Sequence, residues 1–236
     1  TMRTSILASS LLALAVAAPA VHAHQAGDII VRAGAITVQT YENTSGVKGD
    51  RGVLSTLNSG GHGGKATLDN NTQLGLNFAY MVTDNWAVEL LAATPFSHDV
   101  NIKGTKANAA PIADGKLGSF KHLPPTLSAV YYPMDASSAF QPYVGAGINY
   151  TWFFDESVSS EAKTRGFDKM SIKNSWGWAA QIGADYMMTD KIMINGQVRY
   201  IDIDTTAYAS SNTLGRAKVN VDVKPFVYMV GLGYKF

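Results

Sequence analysis

Bulky apolar residues take every second place at the C-terminal end of the chain: Phe226, Tyr228, Val230, Leu232, Tyr234 and Phe236. Met229, Gly231, Gly233 and Lys235 fill the places between. Successive side chains of a strand point to opposite faces, so this segment has one broad apolar face and one face of small or polar groups. A soluble sheet turns polar groups outward. A barrel in lipid turns apolar groups toward the acyl chains and lines its lumen with the rest.

Seven further segments repeat the pattern. Ile29, Val31 and Ala33 oppose Arg32, Gly34, Ile36 and Val38 in a first strand near residues 27–41. Leu74, Leu76, Phe78, Tyr80 and Val82 oppose Gln73, Gly75, Asn77 and Ala79 in a second. A third sets Trp86, Val88, Leu90 and Ala92 against Glu89 and Leu91, and a fourth sets Leu127, Ala129 and Tyr131 against Ser128, Val130 and Tyr132. Val144, Ala146, Ile148, Tyr150 and Trp152 form the outer face of the fifth, over Tyr143, Gly145, Gly147 and Asn149. The sixth turns Trp176, Trp178, Ala180, Ile182 and Tyr186 outward over Gln181, Gly183 and Asp185. The seventh sets Ile192, Ile194, Val198 and Tyr200 against Met193, Asn195, Gln197 and Arg199.

The links between these strands alternate in length. Turns at residues 83–85, 135–139 and 189–191 are short, whereas 42–69, 97–122, 155–173 and 205–218 are long. Outer-membrane barrels have short periplasmic turns and longer external loops. The expected fold is therefore all-β: an eight-stranded antiparallel transmembrane β-barrel with short periplasmic turns and four longer extracellular loops. Tyr80, Trp86, Tyr186 and Phe236 fall at one rim and Tyr150 and Trp152 at the other, the two-belt placement that amphipathic rings favour. A soluble β-sandwich would have to bury every outer face against a second sheet.

The N-terminus supports an envelope destination. Arg3, the apolar run Ile6 to Ala18 and the A-x-A-like Val21-His22-Ala23 have the layout of a secretory signal. We expect residues 1–23 to be a cleaved signal peptide and 24–236 the barrel. A membrane anchor is the rival reading, but the run is short and ends at Pro19; no later segment approaches the ~18 apolar residues of a membrane helix. Charged residues make up 16% of the chain, below the usual quarter. Lys plus Arg number 19 and Asp plus Glu 18, a balance that gives no reason to expect a nucleic-acid partner. There is no cysteine, which removes disulfides and thiolate metal sites.

Lumen chemistry can be read from parity. Ile36, Val38, Leu91, Val130 and Phe153 are the expected channel-lining residues, and their apolar character disfavours ions and hydrophilic nutrients. An eight-stranded barrel is just wide enough for side chains to fill. The inward glycines Gly34, Gly75, Gly145, Gly147, Gly183, Gly231 and Gly233 either leave a path or let the strands coil around a plugged core. Arg32, Glu89, Asp185 and Arg199, with Lys235 near them, point inward toward the periplasmic end. Isolated charges there would be costly, so they should pair and partly close that end. Cargo would then leave sideways. Pro95 and the pair Pro124-Pro125 cannot donate to a ladder and mark either a lateral window or a simple strand-end stop.

Nothing reads as catalysis. The histidines of the mature chain (His24, His62, His98 and His122) fall at the terminus or in expected loops, without metal-ligand spacing. Gly145-Ala146-Gly147 lies on a strand and not before a helix. Asp202 and Asp204 sit near the external rim, where a divalent cation, lipopolysaccharide or plain solvation would each account for them. A lipid-modifying enzyme would need a Ser/His/acid set, and His122 with Ser97 or Ser128 lacks the acid. No cofactor and no metal is expected.

Resemblance adds to this reading. The terminal Tyr234 and Phe236 resemble the C-terminal signal by which outer-membrane proteins are recognised by the barrel-assembly machinery. Asn71 to Leu76, Glu89 to Phe96, His122 to Leu127, Pro142 to Tyr150, Ser175 to Gly177, Tyr200 to Thr206 and Gly233 to Phe236 together resemble the OmpW family of small outer-membrane barrels. The resemblance runs in order through the mature chain. It implies an eight-stranded barrel in the bacterial outer membrane whose members are implicated in admitting small hydrophobic compounds, and it favours the lateral window. Arg199 is its weakest point, because relatives can carry an aromatic there. The function expected is passive uptake of small hydrophobic molecules with lateral release. The alternative is a structural or adhesive barrel whose loops bind partners. Outer-membrane lipids and lipopolysaccharide would surround it.

Overall fold

The computed structural model describes residues 22–44, 48–51, 65–103, 106–107, 110–111, 115–213 and 215–236. Most of the expected signal peptide and the Gly60–Gly64 run lie outside the described residues. Eighteen strands and one short helix follow in order among the described residues. They are β1 (Ile29–Gln39), β2 (Glu42–Thr44), β3 (Lys48–Arg51), β4 (Lys65–Leu68), β5 (Asn71–Met81), β6 (Trp86–Ala93) and β7 (Phe96–Lys103). Next come β8 (Lys106–Ala107), β9 (Ala110–Pro111), β10 (Gly115–Leu123), β11 (Thr126–Tyr131), β12 (Phe140–Val158) and α1 (Ser160–Thr164). The chain ends with β13 (Lys169–Ile172), β14 (Ser175–Met187), β15 (Ile192–Ile201), β16 (Ile203–Ser211), β17 (Gly215–Val223) and β18 (Phe226–Lys235).

Eight of these close a barrel in the order β11-β6-β5-β1-β18-β15-β14-β12, with β12 pairing back to β11. All pairings are antiparallel. The eight expected alternating segments are these strands, and their faces point as the alternation requires. Ile182, Val230, Leu232 and Trp178 are exposed on the outside, while Arg32, Glu89, Asp185 and Arg199 are wholly buried inside.

The long connections differ from the loops expected of them. Much of their length is strand that carries the barrel upward. β7 and β10 pair with each other and extend β12, with β4 at their edge. β16 and β17 form a second hairpin, flanked by β13 and by β2 and β3. Two sheets thus face one another as a crown above the barrel. Residues 205–218 are almost entirely strand; the 155–173 segment holds a short helix, α1, capped by the Ser159 hydroxyl accepting from the Ala162 amide at 3.0 Å. In β16 and β17 polar residues alternate with apolar ones that face the opposing sheet, a half-buried pattern that marks a strand once a partner exists.

The inward glycines do not hold a path open. Gly34 lies directly opposite Gly231, and a Cβ on Gly34 would collide with the Val230 carbonyl; Gly147 meets the Leu127 carbonyl in the same way. The space above Gly183 is filled by Tyr143, and that above Gly233 by Met193 and Arg32. These glycines permit close strand approach and make room for neighbouring side chains.

Candidate functional site

From the periplasmic end upward, the lumen is built in three layers. The lowest is a buried cluster that includes Ile30, Met81, Val130, Tyr132, Tyr143, Met187 and Met193. Val130 belongs here, apart from the other four expected lining residues. The highest is apolar, with Ile36, Val38, Leu91 and Phe153 in one cluster that continues into the crown.

Between them lies a layer of charge. The Arg32 Nε and Nη2 donate to Asp185 at 2.9 and 2.5 Å. Its other donors reach Asn77 Oδ1 at 2.9 Å and the Tyr132 hydroxyl at 2.8 Å. Asp185 also contacts His24 Nε2 at 2.9 Å and accepts from Asn195 at 2.8 Å. One step higher, Arg199 Nη2 donates to Glu89 at 2.5 Å, and Gln181 bonds both partners. Arg32 Nη1 stands 3.5 Å from Glu89 Oε2 and links the two pairs. All four expected charges therefore meet in one network, with two positive and two negative members. His24, placed at the terminus by sequence, is a buried member; Tyr132 packs edge-on against its ring at 4.9 Å. Lys235 sits lower, donating to the carbonyls of His22 and Ala23 at 2.7 and 2.6 Å.

This layer and the cluster beneath it fill the barrel, so the periplasmic end is closed by packed and paired side chains. Above, the two crown sheets enclose a cavity of about 520 Å³, counting the part open to solvent, lined by Val100, Leu117, Phe120, Phe153, Ile172 and Val219 among others. Thr205 is its one polar lining residue among the described residues.

Proline shapes the wall between cavity and charge layer. The ladder of β6 with β11 stops at Leu91 opposite Thr126. The ladder of β7 with β10 begins at Phe96 opposite His122. Ala92 to Pro95 therefore stand against only Leu123 to Pro125 without ladder pairing, a bulge of one residue. The Thr94 amide donates to Leu74 on β5 instead, at 3.0 Å. On the other side β10 from Lys121 onward and β11 pair with β12 in one register, the shift in that ladder lying higher, between Ser119 and Lys121. From inside, the Asn149 carboxamide donates to the Pro124 and Pro125 carbonyls at 3.1 and 3.2 Å. The prolines thus interrupt one ladder at one height. They do not end the hairpin, which resumes above them.

The bulge has a second effect: it reverses parity, so Phe96 and His98 point inward. His98 is consequently a buried strand residue, and so is His122, which keeps the inward parity of Thr126 and Ser128; neither is the loop residue its sequence surroundings suggested. Their rings stack at 4.9 Å among Phe96, Phe120 and Phe153. Burial and the neighbouring His98 draw the His122 pKa down to about 3. On the opposing crown sheet Asp204 faces Asp222 across β16 and β17, and the hydrogen bond between them, with some burial, raises the Asp204 pKa. No group of three or more His, Cys, Asp or Glu suited to a metal occurs among the described residues. Ser97, on the exposed face of β7, stands across from Lys121, and Ser128 across from Glu89.

A family model described as the OmpW family matches residues 25–236. Outer membrane protein W of Escherichia coli strain K12 is 45% identical over 216 residues, 91% of each chain. The crystal structure of the outer membrane protein OprG from Pseudomonas aeruginosa is 47% identical, with a TM-score of 0.82 over 92% of this chain and 99% of that one. A protein of Pseudomonas aeruginosa named dibenzothiophene metabolism operon protein PahQ is 27% identical over 176 residues, 74% of this chain and 76% of its own.

Proposed function

The chain belongs to the OmpW family of the bacterial outer membrane, and from that membership we propose that it is a passive entry channel for small hydrophobic molecules. One observation carries the reading. A partly open apolar cavity in the crown stands over a lumen closed by buried ion pairs, with a break in the barrel wall between the two. Cargo enters the cavity from outside, passes Phe96 and Phe153, and leaves through the gap at Pro95 and Pro124-Pro125 into the bilayer, with Leu91 forming the floor just below that gap. The name of the PahQ relative, which places it with metabolism of an apolar aromatic compound, agrees with that class of cargo. Lipopolysaccharide and other outer-membrane lipids surround the barrel in this reading. Tyr234 and Phe236 serve as the signal for its assembly.

Unpaired backbone groups in a barrel wall are tolerated only where protein or water satisfies them. Asn149 does so on one strand, so the gap can exist without a full ladder. Replacing Pro95, Pro124 and Pro125 by alanine restores donors, each restored bond contributing about 0.5–1.5 kcal/mol. The triple variant should assemble, unfold at the same or higher urea concentration, and take up hydrophobic solute more slowly in proteoliposomes at matched protein content. Unchanged uptake would place the path along the barrel axis.

A further inference from the structure

The outer face of the barrel is not uniform. At the periplasmic rim aromatic rings occur on many strands, including those beside the gap: Tyr80 on β5, Trp86 on β6 and Tyr131 on β11 are exposed, as are Tyr234 and Phe236. Trp86 and Tyr131 touch at 5.0 Å. At the external rim the rings gather on the far side. Tyr41, Phe226, Tyr200 and Trp178 form a continuous row with centroids 5.9, 5.5 and 5.2 Å apart. Tyr150 with Trp176 and Trp152 with Phe154 extend it along β12 and β14. The upper outward positions of β5, β6 and β11 are Leu74, Ala92 and Leu127 instead.

The apolar band also differs in height. On β14 it runs from Tyr186 to Trp176 and on β18 from Phe236 to Phe226, a rise of about 26 Å for strands tilted about 40°. That matches the ~25 Å apolar band of outer-membrane barrels. On β6 it runs only from Trp86 to Ala92 before the exposed Thr94, a rise of about 16 Å by the same geometry. Polar groups continue sideways at this lower level. Thr72 and Thr37, on the outer face of β5 and β1, share a hydrogen bond of 2.7 Å.

We propose that the barrel thins the outer leaflet on the face formed by β5, β6 and β11, drawing lipid headgroups and water down to Thr94 and the proline gap. A bilayer meeting a short apolar band thins to match it, at a cost of fractions of a kcal/mol per Å. Interfacial rings that would hold the headgroups higher are absent on this face. The consequence bears on the gap itself: its unpaired peptide groups meet water and headgroups, where they are satisfied, and not hydrocarbon. The partner of this face is the headgroup layer of the outer leaflet. This rests on the lateral exit proposed above and places it at the boundary of headgroups and acyl chains.

The chain has no cysteine, so single spin labels report depth cleanly. Thr94 and Tyr228 stand equally far along their strands from the periplasmic-rim rings Trp86 and Phe236. Labelled Thr94→Cys and Tyr228→Cys proteins in phosphatidylcholine vesicles are compared by oxygen and nickel-chelate accessibility. The expected result is an oxygen-to-nickel ratio several-fold lower at 94 than at 228. Ala92→Cys and Val230→Cys, a second matched pair, should differ in the same direction and cover the case of a misfolded first variant. Equal depths in both pairs overturn the proposal. The measurement needs no cargo, so that outcome leaves lateral exit standing, whereas failure of the proline test leaves the depths as they are.

Discussion

Glu89→Gln tests whether the lumen is closed by dry ion pairing. Glu89 is fully buried, 2.5 Å from Arg199 and 3.5 Å from Arg32. Asp185 is committed to Arg32 and His24, so neutralising Glu89 leaves Arg199, among the described residues, with neutral carboxamides alone: Gln181, Gln197 and the one that replaces the Glu89 carboxylate. Arginine cannot shed its charge. Removing one member of a buried pair typically costs about 3–5 kcal/mol, whereas replacing both is often close to neutral. The single variant should therefore lose about 3 kcal/mol in urea unfolding from lipid vesicles, followed by tryptophan fluorescence and by heat-modifiable gel mobility. Glu89→Gln with Arg199→Met should recover most of that loss, a coupling of about 2 kcal/mol in the double-mutant cycle. Small-ion conductance should rise in the single variant, whose stranded guanidinium draws in water, and return toward the original level in the double. A single variant within about 0.5 kcal/mol of the parent would show that water already solvates the network, and the closure argument would fail with it.

Two further outcomes follow from the same geometry. Leu91→Asp puts a carboxylate into the apolar floor just below the gap; the barrel should still assemble, because the change faces the lumen and not lipid, and hydrophobic uptake should fall, so unchanged uptake by an assembled variant removes Leu91 from the path. His122, held to a pKa of about 3 in the folded crown against about 6.5 when unfolded, binds protons more readily unfolded than folded between those values. Its contribution is full above pH 6.5 and is lost as pH falls toward 3, so lowering the pH from 7 to 5 should cost the parent about 2 kcal/mol more than His122→Phe, and equal pH slopes in urea titration would refute burial of that ring.

What the sequence determined is whatever depends on parity along one strand. Alternation places Val230 in lipid and Glu89 in the lumen without reference to any other segment, because a strand has only two faces. Eight such segments with alternating link lengths leave one closed antiparallel order. The inward direction of Arg32, Asp185 and Arg199, and the breaker role of three prolines, follow from residue type alone. Height and neighbour are different quantities. They are set by register across the barrel, which no single strand encodes, and so only the tertiary structure decided that Val130 lies below the charge layer and Leu91 above it. Register likewise chose Asp185 for Arg32 and Glu89 for Arg199, and carried His24 into that layer from the chain's N-terminal side. The crown was hidden for a related reason: its strands are half polar, and their apolar sides become a lining only when a second sheet stands opposite. His98 shows the limit most clearly. One bulged residue at Pro95 reverses the parity beyond it, turning an apparent loop histidine into a buried ring, and a bulge becomes visible only against the strand it fails to match.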